Sequence, residues 1–264
     1  MPTIGANGIS IYYERSGSGP PLLYCNGSGT TIETSRLIFD PFTKDFDFVV
    51  HDARGLGRTE IPSPPYTMAD YAADAAALAD HLGWSTFRLV GISFGGMVAQ
   101  EIAVTWPERV ERLALLCTSA GGEAGSSYPL HELAVLPPEE AIARGALLLD
   151  TRFTPTWLAE HPNDQALVDL LAQRQAAPTT EEQQRGIAAQ MGARAGHDVS
   201  GRLGRITCPT FVAAGRFDGI APPPNSEAIV ARIPGSELHL YDGGHAFMAQ
   251  DPTAFPEILT FLAG

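Results

Sequence analysis

The chain has 264 residues, 44% hydrophobic and 18% charged, enough for a large core in one domain with an insertion. Its formal net charge is −13, and no two basic residues are adjacent, which excludes general binding to nucleic acid or to an anionic membrane. Cys25, Cys117 and Cys208 each sit in or beside an apolar run, so they read as small buried residues of a reducing compartment. The N-terminus has neither the basic nor the apolar region of a signal peptide, and no apolar run reaches the roughly 18 residues of a membrane span. The expectation is a cytoplasmic protein.

Along the chain, β-branched and aromatic residues predict a strand over Ile9 to Glu14, ended by Ser16-Gly17-Ser18-Gly19-Pro20. Leu22 to Cys25 reads as a short buried strand followed by the loop Asn26-Gly27-Ser28-Gly29. Phe46 to His51 is another strand, closed by Asp52-Ala53-Arg54-Gly55-Leu56-Gly57. Thr67 to Leu82 has helical spacing, with Thr67 as cap, one face of Met68, Tyr71, Ala75, Leu78 and Leu82, and Gly83 as its end. The strand Phe87 to Ile92, a helix from Ser93 to the stop at Pro107, and the strand Arg112 to Cys117 follow.

From about Gly121 to Ser200 strand-like runs vanish, and helical pieces broken by prolines replace them: Glu139 to Leu149, Asn163 to Gln175 and Thr180 to Ala195. The alternation returns with the strand Thr210 to Ala214, a helix Pro224 to Ile233 and the strand Glu237 to Tyr241. The last helix runs from Pro252 to Leu262, with Asp251 as its cap. Alternating strands and helices predict an α/β fold with a mostly parallel sheet, and the helical block is an insertion between two of its strands.

Chemistry concentrates at Gly91-Ile92-Ser93-Phe94-Gly95. A serine framed by glycines at a strand-to-helix corner can take a strained backbone that lifts its hydroxyl off the sheet. A plain N-capping serine in a glycine-rich turn is the bland alternative. A serine hydroxyl needs a base to act as a nucleophile. Of the seven histidines, His51, His81 and His239 belong to strands or a helix end, while His131, His161 and His197 fall in the helical block or its return. His245 lies in Gly243-Gly244-His245, in the loop leaving the last strand, on the rim where parallel sheets gather their ligands.

Asp218 follows the preceding strand on the same rim and can fix the imidazole tautomer. Glu123, Asp242 and Asp251 are the competing acids; Asp242 is close to His245 in sequence, and Asp251 is explained as a cap. Asp52 and Arg54 read as a solvated or turn-bracing pair in preference to a catalytic one, and Asn26 as a loop side chain bracing its turn. Phe153, Trp157, Leu148 and Met191 are candidates to line a pocket, although helical core packing explains each equally well. No metal-ligand spacing and no dinucleotide fingerprint occurs, so no cofactor is implied.

These motifs together resemble the α/β-hydrolase family over nearly the whole chain. Gly91 to Gly96 resembles its nucleophile elbow, and Asp52 to Thr59 resembles the turn D-x-R-G-x-G-x-S with threonine last. Gly215 to Asp218 resembles the acid loop, Gly243 to His245 the histidine loop, and His197-Asp198 the return from a helical cap. The resemblance implies an eight-stranded, mostly parallel sheet flanked by helices, with a helical cap inserted after the sixth strand. The core would be residues 1–121 and 201–264, and the cap residues 122–200.

It further implies Ser93 as nucleophile, His245 as base and Asp218 as acid. The oxyanion donors would be the backbone N–H groups of Phe94 and Ser28, with Gly27 as the alternative to Ser28. The loop carrying Ser28 begins with Asn26 where the family usually has histidine. Within the family, the stretch Gly91 to Ala120 and the loop from Asn26 to Thr30 look like the 3-oxoadipate enol-lactonase group, a likeness shared by many carboxylesterases. The expected activity is hydrolysis of a carboxylic ester or lactone of a small or medium-sized molecule. A carbon–carbon bond hydrolase, a cofactor-free perhydrolase and a non-catalytic small-molecule receptor are the alternatives.

Overall fold

A computed structural model of the chain describes residues 2–264. In chain order the elements are β1 (Thr3–Ala6), β2 (Ile9–Ser16), β3 (Pro21–Cys25), α1 (Ile32–Phe39), β4 (Asp47–His51), α2 (Met68–His81), β5 (Phe87–Ile92), α3 (Phe94–Thr105) and β6 (Val110–Leu116). The helices α4 (Pro138–Leu149), α5 (Pro155–Glu160), α6 (Pro162–Ala176) and α7 (Glu181–Ala195) follow. Then come β7 (Thr210–Gly215), α8 (Pro223–Val230), β8 (Glu237–Tyr241), α9 (Phe247–Gln250) and α10 (Ala254–Ala263). Among the described residues the strands form one eight-stranded sheet in the order β1-β2-β4-β3-β5-β6-β7-β8. β1 and β2 pair antiparallel, as do β2 and β4, and every pairing from β4 to β8 is parallel.

Both faces of the parallel part are covered, which is why its strands are almost continuously apolar. Alternation along each strand divides the core in two. Leu23, Cys25, Leu89, Leu115 and Val212 face α2, α3 and α8. Leu22, Tyr24, Val90, Leu116 and Phe211 face the opposite way, against Ile32 and Phe39 of α1 and Ile258 and Leu262 of α10. Cys25, Cys117 and Cys208 are free thiols, and burial alone pushes that of Cys25 up to about 12.

α2 starts in a capping box, with Asp70 N–H donating to Thr67 Oγ1 and Thr67 N–H to the Asp70 carboxylate. Asp52 and Arg54 are both buried and do not pair with each other, so neither is solvated, and only Asp52 braces the turn itself. The Asp52 carboxylate accepts from Ile32 N–H at 2.7 Å and Arg58 N–H at 2.9 Å, while Arg54 makes a two-pronged ion pair with buried Asp74. The last helix differs from expectation: α10 starts at Ala254, and the Asp251 carboxylate instead accepts from Thr253 N–H and Oγ1 and from Asp242 N–H. Asp251 therefore closes an Asx-type turn ahead of the helix.

Helices α4 to α7 all lie between β6 and β7. The chain leaves and re-enters at one place, where Gly121 bridges Asp198 and Val199 N–H donates to Ala120 O. This segment has a small core of its own, Ala146, Phe153 and Val168, against which Trp157, Leu158 and Leu167 pack. Phe153 and Trp157 thus serve packing within the helical segment.

Candidate active site

Register brings the site together. Ile92 lies beside Leu116, Leu116 beside Ala213, and Gly215 beside Tyr241, so β5 to β8 end on one rim. Ser93 follows β5 directly, Asp218 comes three residues after β7 and His245 four after β8.

Ser93 has φ 53° and ψ −115°, a region that side-chain-bearing residues avoid. Its N–H donates to Leu116 O at 2.8 Å, and its carbonyl accepts from Gly96 N–H at 2.9 Å and Thr118 Oγ1 at 2.7 Å. These partners hold the strained corner. The framing glycines are needed for close approach. A Cβ on Gly91 would lie 2.3 Å from Gly95 O, and one on Gly95 would lie 2.0 Å from Cys25 O. Sequence spacing alone could not show that the second glycine makes room for the loop after β3.

Asp218 and His245 are joined. His245 Nδ1 lies 2.8 Å from Asp218 Oδ2, and Oδ1 of the same carboxylate accepts from Ile220 N–H at 2.8 Å and Ala221 N–H at 2.9 Å. Facing a carboxylate acceptor, the neutral imidazole places its hydrogen on Nδ1 and its lone pair on Nε2. Ser93 Oγ and His245 Nε2 make no hydrogen bond to each other among the described residues. The competing acids lie elsewhere: Glu123 is exposed, Asp242 pairs with Arg152 at 2.8 Å, and Asp251 is engaged by Thr253.

The loop after β3 leans over Ser93. The Gly27 Cβ position is 3.8 Å from Ser93 Cβ. Gly29 N–H is engaged by Gln190 Oε1 at 2.7 Å and Thr30 N–H by Gly27 O, whereas the N–H groups of Gly27, Ser28 and Phe94 have no acceptor among the described residues. Those three donors are left free beside the serine. Asn26 departs from expectation: it is buried and its Nδ2 has no partner, so it does not brace the turn by a hydrogen bond.

The helical segment contributes what the sequence did not reveal. At the end of α4, Leu149 O accepts from His245 N–H at 2.6 Å and Leu148 O from Gly219 N–H at 3.0 Å, while Thr151 N–H donates to Phe217 O at 2.9 Å. The loops carrying Asp218 and His245 are both tied to it through main chain, which leaves no side-chain signature. Gln190 was also missed, since a glutamine on the polar helix α7 reads as solvated. Among the described residues no group of three or more histidines, cysteines and acids is placed to hold a metal ion, and no helix is long and apolar enough to cross a membrane.

The sequence model of the alpha/beta hydrolase fold matches residues 20–252. The chain belongs to the α/β-hydrolase family. This α/β hydrolase is 29% identical over 247 residues to a poly(3-hydroxyalkanoate) depolymerase of Ectopseudomonas oleovorans, covering 92% of this chain and 84% of the relative. It is 28% identical over 256 residues to 3-oxoadipate enol-lactonase 2 of Acinetobacter baylyi, covering 96% and 92% respectively. Among solved structures, the enol-lactonase of Burkholderia xenovorans LB400 superposes with a TM-score of 0.81 at 21% identity, each chain covered in full, which shows the shared hydrolase fold.

Proposed function

We propose that this α/β hydrolase cleaves a carboxylic ester or lactone of a small or medium-sized molecule through an acyl-enzyme on Ser93. The observation that carries the reading is the strained Ser93 corner on the same sheet rim as the hydrogen-bonded Asp218–His245 pair. His245 Nε2 takes the Ser93 proton as Oγ adds to the carbonyl carbon, and Asp218 stabilises the resulting imidazolium. The oxyanion receives hydrogen bonds from Phe94 N–H and from Ser28 N–H, or Gly27 N–H in its place. His245 then protonates the leaving alkoxide. A water, deprotonated by His245, adds to the acyl-enzyme, and collapse returns the proton to Ser93 and releases the acid. The segment 122–200 acts as a cap over this rim and shapes what enters.

The test is burst release of nitrophenol from an activated ester together with labelling by a fluorophosphonate. Ser93→Ala should abolish labelling and lower kcat by at least about four orders of magnitude. A wild-type protein that neither turns over such esters nor takes the label would sink the hydrolase reading. A panel of lactones, linear esters, vinylogous diketones and acid plus peroxide then separates ester hydrolysis from carbon–carbon cleavage and perhydrolysis.

A further inference from the structure

Helix α7 is polar, yet it buries a stripe of Gly186, Gln190 and Arg194, residues spaced by four and so on one face. At Gly186 two backbones meet. A Cβ there would lie 2.0 Å from Gly55 O, so the helix is seated directly on the turn after β4. One turn further on, Gln190 is wholly buried, and its Oε1 accepts from Gly29 N–H at 2.7 Å. Its Nε2 is buried with no partner among the described residues. A buried amide with a donor unmet costs stability that an apolar side chain of similar length would not. Packing alone therefore favours a residue such as methionine at this position.

The loop that Gln190 reaches has little hold of its own. Asn26 Nδ2 and Ser28 Oγ are both buried without a partner among the described residues. Gly27 O accepts from Thr30 N–H at 3.4 Å and from Thr30 Oγ1 at 2.8 Å. A trans peptide points its N–H opposite to its C=O, so this grip turns the Ser28 N–H away from Thr30, since it shares a peptide unit with Gly27 O. The next unit, joining Ser28 to Gly29, is held by Gln190 through Gly29 N–H. Two successive peptide planes are thus pinned, the first within the loop and the second from the helical segment.

We propose that Gln190 is a positioning residue for the oxyanion donors: by fixing the Ser28–Gly29 peptide from α7, it keeps the adjacent Ser28 N–H aimed at the charge that develops on the substrate. The proposal rests on the hydrolase reading above and deepens it. A donor is effective only where it is already aimed at the oxyanion, and a small misalignment is felt in the transition state far more than in the bound ester.

The experiment compares wild type with Gln190→Met and Gln190→Glu on 4-nitrophenyl acetate. Gln190→Met should lower kcat and kcat/KM together by about 10- to 100-fold, leaving KM within about threefold. Gln190→Glu keeps an acceptor oxygen on a stem of the same length and should retain most of the activity. Affinity for phenyl trifluoromethyl ketone should fall in Gln190→Met in step with kcat/KM. In that adduct Ser93 Oγ bonds to the carbonyl carbon, the carbonyl electron pair moves to oxygen as the oxyanion, and the serine proton passes to His245 Nε2. Unchanged kcat, a rise in KM alone, or Gln190→Glu as impaired as Gln190→Met overturns the proposal. Thermal unfolding separates a structural role: Gln190→Met should melt at or above the wild-type temperature, and a fall of several degrees overturns the assignment. Hydrogen exchange reads the tie whether or not an ester is turned over. The Gly29 amide should exchange at least about tenfold faster in Gln190→Met, with the β3 amides Leu22 to Tyr24 unchanged. If wild-type protein neither turns over esters nor takes a fluorophosphonate, the hydrolase reading falls by itself and exchange decides the tie; an unchanged Gly29 amide overturns the proposal in either case.

Discussion

At His197, burial acts on a titratable side chain that lies outside the proposed triad. The ring is 5% exposed, packed where the helical segment returns to the sheet. Desolvation dominates and lowers its pKa to about 4; Glu101 and Asp198 nearby oppose the shift and Arg202 reinforces it. The sign follows from proton uptake. Between the ordinary value of about 6.5 and the folded value, the unfolded chain binds a proton that the folded one refuses. Stability is therefore intact above pH 6.5 and is lost as pH falls toward 4, by up to about 3 kcal/mol. We expect His197→Gln to lose less stability than wild type between pH 7 and 4.5 in urea titrations. Parallel losses in the two proteins would contradict this. The same residue shows what sequence could and could not supply. The shared rim of Ser93, Asp218 and His245 was legible because each lies in the segment after a strand of the parallel sheet, a relation that sequence order conveys. The environments of His197, Arg194 and Gln190 were not, because a polar helix such as α7 reads as solvated until the tertiary fold buries one side of it.

Among the elements, the turn after β4 is fastened to α2 by Arg54 and Asp74. Both are buried, at 8% and 1% exposure, and Asn7 Nδ2 also donates to Asp74 at 2.8 Å. Removing the cation alone leaves a carboxylate in a dry site. Arg54→Met should destabilise by about 3–5 kcal/mol, whereas the double variant Arg54→Met with Asp74→Leu should recover much of that. Denaturant midpoints of the two single variants and the double variant measure the coupling. Additive losses would mean that the pair contributes no coupling at all. Asn7 also marks an element that sequence reading passed over. Asn7-Gly8 has φ 47° and 77° and turns β1 back onto β2; this dipeptide between apolar runs was the available hairpin signal. α1 was missed for a different reason: it is short, and its capping box pairs two threonines, Thr31 and Thr34, in place of the usual threonine and acid.

For the whole molecule, the helical segment is part of the frame of the proposed site, because Leu148 and Leu149 hold the main chain of both the Asp218 and the His245 loops. A simple lid could be removed at the cost of selectivity alone. Here its removal should also free the histidine. Gly121 and Asp198 already meet, so a short linker can replace the residues between them without stretching the sheet. We expect the excised protein, even on small esters such as 4-nitrophenyl acetate, to lose at least about 100-fold in kcat, since small misplacements of reacting groups cost that much. A truncated chain that fails to fold would show nothing, so Gly244→Ala tests the same idea in the full chain. A Cβ there would lie 2.1 Å from Leu149 O and 2.7 Å from Asp150 Cα, backbone atoms that can yield only by pushing the histidine loop away. Its kcat should fall at least about tenfold while circular dichroism stays that of the wild type. Undiminished kcat in Gly244→Ala and in a folded excised protein would show that the segment governs substrate choice alone and that the β7 and β8 loops hold Asp218 and His245 unaided.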